Sequence, residues 1–254
     1  MNPLSPEDCV RYCRQLMIRE IGEIGQKRLR RARICIAGLG GLGSISAYYL
    51  AAAGVGYLKI VDRDRVGLEN LNRQILHSTK DIGRPKSESA LEKLRQLNPS
   101  AHIDAVTAQI GEDTVMALVG DCDLIVDALD NFEARKHLNR ASISREIPFI
   151  FGGVDGFSGM VTTFIPGKTP CLECLFPGVR FTKEKVGAIG PVPGMIASIQ
   201  SLEAIKIVLG MEGLLANTLL HVNGLDMSIK KIGIEKDPDC ERCGTVGKVS
   251  HHEE

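Results

Sequence analysis

The chain has 254 residues and balances 31 Lys and Arg against 31 Asp and Glu, so no net charge draws it to nucleic acid. Trp is absent and aromatics make up 4%, which also argues against a base-stacking platform. The N-terminus is polar and acidic, and no apolar run of about 18 residues is expected. The expectation is a cytoplasmic protein with no membrane or nucleic-acid partner, built as one large α/β domain or as one with a small appendage.

Ser5-Pro6-Glu7-Asp8 carries the signals of a helix start: a capping hydroxyl, Pro at the first position and acids in the first turn. That helix is predicted to run to about residue 20, with Val10, Leu16 and Met17 apolar and Arg11, Arg14, Gln15 and Arg19 polar. A short helix over residues 26–31 leads into the stretch that organises the chain. There a β-branched run (Ile34, Cys35, Ile36, Ala37) stops at Gly38-Leu39-Gly40-Gly41-Leu42-Gly43. A small-residue helix follows, then a second apolar run over 57–61 that ends on Asp62. Strand, glycine turn, helix, strand and acid make a dinucleotide-binding βαβ unit. Gly38, Gly40, Gly41 and Gly43 let a phosphate approach the backbone, where free N–H groups and the helix dipole favour an anion. Asp62, at the carboxyl edge of the sheet, is placed to accept from a ribose.

The polar stretch over residues 63–86 is too long for a simple connection and reads as a functional or disordered loop. It contains Arg73 and Lys86, a planar fork and a point charge for phosphate oxygens. A helix is predicted from Pro85 through Leu97, with Ala90, Leu91, Leu94 and Leu97 on one face. Residues 102–107 read as a strand and 112–119 as a helix. The apolar strand at 124–129 ends on Asp130-Asn131, followed by a helix to about residue 145. Asp130 suits an oxygen-only Mg²⁺ site or the cap of that helix.

After a strand at 148–151 the character changes to antiparallel additions, at 160–165, 219–223 and 227–234. A Gly/Pro/Lys-rich segment over 176–193 and a long apolar helix over 194–209 lie between them, and residues 248–254 read as a disordered tail. Gly167-Lys168-Thr169 imitates the end of a Walker A loop, but Thr162 stands at the first glycine position and Pro170 blocks a helix.

Of the eight cysteines, Cys9, Cys13, Cys35 and Cys122 are scattered, the last two in or beside strands. The others form two pairs, Cys171-x-x-Cys174 and Cys240-x-x-Cys243. Four thiolates suit a closed tetrahedral Zn²⁺ site of structural type, with redox or iron–sulfur chemistry as the alternatives. On these residues alone, an NAD-dependent oxidoreductase and a non-catalytic binding module remain open.

Taken together, RYCRQ, AGLGGLGS, DRD followed by ENLNRQ, GRPK, ALDN with Arg135, and the two CxxC pairs resemble the MoeB/ThiF/HesA adenylyltransferases, prokaryotic relatives of ubiquitin-activating enzymes. The resemblance covers residues 6–244. It implies a single adenylation domain over 1–247, with a nucleotide-binding part at about 33–150 and a carrier-binding and zinc part at about 151–247. It implies a Rossmann-like half continued into a mixed sheet, and a reaction in which Mg·ATP adenylates the C-terminal glycine of a small ubiquitin-like sulfur carrier ending in Gly-Gly. The roles carried over put Gly41 at the nucleotide, Asp62 on the ribose, and Asn70, Arg73 and Lys86 on the phosphates. Asp130 positions Mg²⁺, and Arg14 reaches in from the other subunit of a homodimer. Asp64 of DRD and Asn131 beside Asp130 complete the nucleotide set. Cys171, Cys174, Cys240 and Cys243 match the zinc ligands.

The sequence departs from many relatives at one place. The loop before the long apolar helix has no cysteine, and Lys183 stands about where a thiol would be. Adenylation alone is therefore expected, with sulfur supplied by a separate sulfurtransferase.

Overall fold

A computed structural model of the chain describes residues 3–179 and 187–244. Eight strands form one sheet in the order β3-β2-β1-β4-β5-β6-β7-β8. Their ranges are β1 Arg33–Ala37, β2 Tyr57–Val61, β3 His102–Val106, β4 Leu124–Asp127, β5 Phe149–Asp155, β6 Ser158–Phe164, β7 Thr218–Asn223 and β8 Ser228–Gly233. The first five are parallel and the last three are added antiparallel, as the sequence predicts for a Rossmann-like half continued into a mixed sheet.

The parallel half is buried on both faces, which is why β1 reads as an unbroken apolar run. Ile34 and Ile36 belong to one apolar core with Leu50, Leu58 and Ile196, whereas Cys35 and Ala37 point to a second core with Ile125, Leu138 and Phe149. The helices α4 (Gly41–Ala52), α5 (Lys86–Leu97) and α9 (Pro191–Leu209) contribute to the first, and α6 (Val115–Val119), α7 (Phe132–Arg145) and α8 (Leu172–Leu175) to the second. From β1 the chain winds outward to β2 and β3, then returns to place β4 on the other side of β1. The crevice at the carboxyl ends of β1 and β4 is therefore the topological switch point, where such sheets take ligands.

Several sequence expectations are corrected. The N-terminal helix is broken: α1 covers Pro6–Arg11 and α2 only Cys13–Leu16. Between them Tyr12 is buried and its hydroxyl accepts from Asn98 Nδ2 at 2.8 Å, so tertiary packing overrides the helical pattern. Val10 and Met17, read as an apolar face, are each 75% exposed. The helix α3 starts earlier than predicted and spans Gly22–Arg31, while α6 starts later. Leu97 lies at the exposed end of α5 instead of on its buried face. The helix α9 begins at Pro191 and, at 19 residues, is long and apolar enough to cross a membrane by length and composition, contrary to the expectation of no such run. It is a core helix. Gln200 Nε2 donates to the carbonyls of Asp127 (2.7 Å) and Ile150 (3.1 Å), and buried Glu203 accepts from Thr163 Oγ1 at 2.7 Å. The Walker-like Gly167-Lys168-Thr169 lies in a turn after β6, with no helix following it directly. Lys183 and the 248–254 tail lie outside the described residues.

Candidate functional site

The glycine turn joins β1 to α4, and its six residues differ in what they tolerate. An added Cβ at Gly43 would lie 1.9 Å from the Gly38 carbonyl oxygen, so only glycine lets the helix start this close to the strand. At Gly40 the nearest atom to such a Cβ is Gln74 Nε2 at 3.8 Å, which leaves this side of the turn open. The first turn-closing bond runs from Ser44 N to Gly40 O at 3.0 Å, so the preceding amides have no acceptor within the helix. Open space and free N–H groups coincide at the switch point, as anion binding requires.

Asp62 is buried at the end of β2. Its Oδ2 accepts from Leu39 N and its Oδ1 from Asp64 N, both at 2.7 Å. Burial pushes its carboxyl above the ordinary value, while Lys86 and the two N–H donors pull the other way. Lys86 is buried at the start of α5, with Nζ 3.2 Å from Asp64 Oδ2. The loop between is ordered into two 3₁₀ turns, Leu68–Asn70 and Thr79–Asp81, and pinned by a bridge between Arg65 and Pro85. Asn70 is buried; its Oδ1 accepts from Gly67 N at 3.0 Å, and its Nδ2 donates to Glu69 Oε1 at 3.4 Å. Arg73 donates to the Glu69 carbonyl at 2.8 Å, and its own carbonyl faces Gly41.

Asp130 lies beyond β4, across the switch point from the glycine turn. The capping alternative for it is resolved by its neighbour: Asn131 Oδ1 accepts from Ala134 N at 2.9 Å and is the cap of α7. Asp130 is exposed, and among the described residues its carboxylate has no hydrogen bond or ion pair. It suits the single protein carboxylate that often joins Mg²⁺ to substrate phosphates.

Arg14 is not brought to this cluster within the chain. Its neighbours in sequence dock at the opposite end of α4: Gln15 Nε2 donates to the Ala53 carbonyl at 3.0 Å, and Tyr12 packs beneath Gly54. That end is about 18 Å from Gly41, at 1.5 Å rise per residue.

Some residues of the site were not anticipated from sequence. Asp127, fully buried at the end of β4, has its carboxyl raised to about 6 by burial, against the pull of Arg135, whose Nε lies 3.0 Å away. Asp127 Oδ1 accepts from Leu129 N, and Arg135 donates to Leu129 O, so the residue before Asp130 is held by both its backbone N–H and its carbonyl. His77, Ser89 and Lys93 lie beneath the glycine turn. A buried acid closing an apolar LIVD strand was a readable signal; a histidine inside a polar loop was not.

The four expected metal ligands come together. The sulfurs of Cys171, Cys174, Cys240 and Cys243 all lie within 4.8 Å of one another. Individual separations are 3.9 Å (Cys171–Cys174), 3.8 Å (Cys171–Cys240) and 3.3 Å (Cys174–Cys243). Four sulfurs about 2.3 Å from one centre give edges of this size, so the set fits Zn²⁺. Around it Asn139 Oδ1 accepts from Leu172 N, and Arg242 pairs with Glu173 at 3.1 Å.

The fold and site define a nucleotide-binding enzyme of the Rossmann type with a cysteine cluster that suits zinc. Over residues 12–242 the chain matches the ThiF family model. It is 36% identical to the sulfur carrier protein adenylyltransferase of Thermus thermophilus, covering 94% of this chain and 92% of that one. It is 35% identical to the molybdopterin-synthase adenylyltransferase of Escherichia coli, covering 96% and 100%. Among solved structures it resembles E. coli MccB with MccA-N7isoAsn, with a TM-score of 0.84 and 25% identity over 92% of this chain and 75% of that one. The chain belongs to the ThiF family and is an adenylyltransferase of the MoeB/ThiF/HesA type.

Proposed function

We propose that the protein uses ATP to adenylate the C-terminal glycine carboxylate of a small ubiquitin-like sulfur-carrier protein ending in Gly-Gly, releasing pyrophosphate. The observation that carries this reading is the charge set at the switch point. Buried Lys86 lies beside Asp62 and Asp64 on one side of the open glycine turn, and uncommitted Asp130 lies on the other. A hydride-transfer site has no use for that pairing.

A glycine carboxylate is ionised at neutral pH and needs no general base. Its oxygen attacks the α-phosphorus, the new O–P bond forms, and the bond to the β-phosphate bridging oxygen breaks. The enzyme aligns the two reactants and neutralises the developing charge. Arg73, Lys86 and the Asn70 amide serve the phosphates, with the N–H groups of the glycine turn. Each Asp62 oxygen, having accepted one backbone N–H, keeps a lone pair for a ribose hydroxyl. Asp64 and Asn131 complete the pocket. Asp130 would hold Mg²⁺, which when bound neutralises phosphate charge. Arg14 is supplied by the other copy of a homodimer, a reading supported by its distance from the turn of its own chain.

The four cysteines would hold a structural Zn²⁺, joining the segment after β8 to the segment after β6. In this reading residues 1–247 act as one adenylation unit, with 33–150 serving the nucleotide and 151–247 the carrier and zinc. The protein works in the cytoplasm. With no cysteine between 175 and 239, sulfur comes from a separate sulfurtransferase.

The test is ATP–pyrophosphate exchange with zinc-loaded protein and a panel of Gly-Gly-ending carriers. Exchange should depend on the carrier and disappear in Asp130→Ala. Absence of exchange with every carrier, together with NADH binding by fluorescence titration, would return the site to the oxidoreductases.

A further inference from the structure

Beneath the glycine turn runs a chain of polar groups, all buried but the partly exposed Lys93, that the reaction itself does not use. Lys93 Nζ pairs with Asp81 and donates to Ser89 Oγ at 2.8 Å. Ser89 Oγ lies 2.9 Å from His77 Nδ1, and His77 Nε2 lies 3.2 Å from the Leu39 carbonyl oxygen. His77 and Ser89 are buried, and Asp81 is 3% exposed.

The direction of every proton in this chain follows from the groups at its two ends. An ammonium only donates, so Ser89 receives from Lys93 and is free to give its own O–H to Nδ1. A carbonyl only accepts, so Nε2 must carry the imidazole proton. The two requirements agree on one neutral tautomer. Burial, with the nearby charges of Lys93 and Lys86, pulls the imidazole down to about 4 and keeps it neutral, although Leu39 O and Asp81 favour the charged form.

Leu39 sits inside the phosphate turn. In a trans peptide the C=O of Leu39 and the N–H of Gly40 point in opposite directions, and no peptide among the described residues is cis. With the carbonyl turned inward to His77 Nε2 and Ser44 Oγ (3.1 Å), the Gly40 N–H faces the open side of the turn. The opposite orientation would present a carbonyl oxygen to a triphosphate.

We propose that His77, ordered by Ser89 and Lys93, is a positioning residue that aims the Gly40 N–H at the nucleotide phosphates. This rests on the ATP reading above. Ser44 Oγ remains as a second donor to Leu39, so loss of His77 weakens the orientation without abolishing it, by about tenfold in affinity.

The test compares calorimetric binding of ATP and of adenosine to full-length, zinc-loaded wild type, His77→Leu and His77→Gln. His77→Leu should lose about tenfold in ATP affinity while adenosine binds unchanged. His77→Gln, which keeps an N–H donor, should recover most of the loss. Nitrogen-15 NMR of the wild type should find Nε2 protonated and Nδ1 bare from pH 5.5 to 8. Equal loss for both ligands, no loss for either, or an Nδ1–H tautomer overturns the proposal. If His77→Leu does not fold, Ser89→Ala takes its place, with an expected ATP-selective loss of about threefold; unchanged ATP affinity there counts against it. Wild type that binds no ATP overturns the adenylation reading as well. Wild type that binds ATP, with His77→Leu binding it equally well, overturns the role of His77 alone.

Discussion

Asp62 Oδ2 accepts the backbone N–H of Leu39 at 2.7 Å, tying the end of β2 to the middle of the glycine turn. Its other oxygen holds Asp64 N at the same distance. The acid that a dinucleotide fingerprint assigns to a ribose is therefore also a fastener of the turn.

Asp62→Asn should separate those roles. An amide has one acceptor oxygen, so its NH₂ must face either Leu39 N–H or Asp64 N–H, leaving a buried donor unmatched at about 1–3 kcal/mol. The nucleotide-free variant should unfold at lower urea concentration than wild type. A residue that only touched ribose would leave that midpoint in place.

The pair formed by Asp127 and Arg135, 3.0 Å apart with Asp127 fully buried, predicts a larger effect. Arg135→Met leaves the carboxylate without its cation and releases the Leu129 carbonyl. A loss of about 3–5 kcal/mol is expected from denaturant unfolding. Arg135→Lys should recover only part of it, because a point charge replaces the fork that grips the carbonyls of Leu129 and Gly152.

The buried imidazole of His77 makes stability depend on pH. Its folded value, about 4, lies below the ordinary 6.5, so the unfolded chain binds more protons between those values. The contribution is complete above pH 6.5 and is lost as pH falls through about 4. Between pH 7.5 and pH 5 it amounts to about 2 kcal/mol. Asp127, raised to about 6, works in the opposite sense over the same range. The clean measurement is therefore the difference between wild type and His77→Gln, which should shrink toward pH 5.

Removal of metal from the cysteine cluster should act at a distance from the glycine turn. A strong chelator is expected to release one zinc per chain and to open the segment around Cys240 and Cys243 to protease, since metal binding at such sites is folding free energy. Metal analysis with limited proteolysis checks this, and Cys240→Ser should reproduce the cleavage pattern without chelator.

Much of this architecture was readable because local pattern and tertiary role coincide. Ile34 to Ala37 are apolar on both faces since a central parallel strand is covered on both, and Gly43 is glycine because a carbonyl lies where its Cβ would be. The cysteine spacing carried its own chemistry to four sulfurs in one cluster. Reading failed where distant contacts decide. Tyr12 breaks the first helix because it is buried against Asn98, a partner 86 positions away. His77 was invisible for the same reason: its partner, the Leu39 carbonyl, is a backbone atom that no residue type announces. Asp130 and Asn131 were both legible as polar groups at a strand tip, but only geometry divides the work, giving the cap to Asn131.

Among the described residues the strand β8 closes the sheet with one edge unpaired, and its residues Ile229 to Gly233 are all exposed. Ile229 and Ile232 leave apolar surface on that border, and Lys230 and Lys231 sit between them. Two adjacent ammonium groups make it costly for another molecule's border strand to register alongside, because like charges would be stacked across the new ladder. The same lysines thus guard against runaway sheet growth in a crowded cell, and exchanging both for threonine should turn a clear solution cloudy on warming well before the core melts.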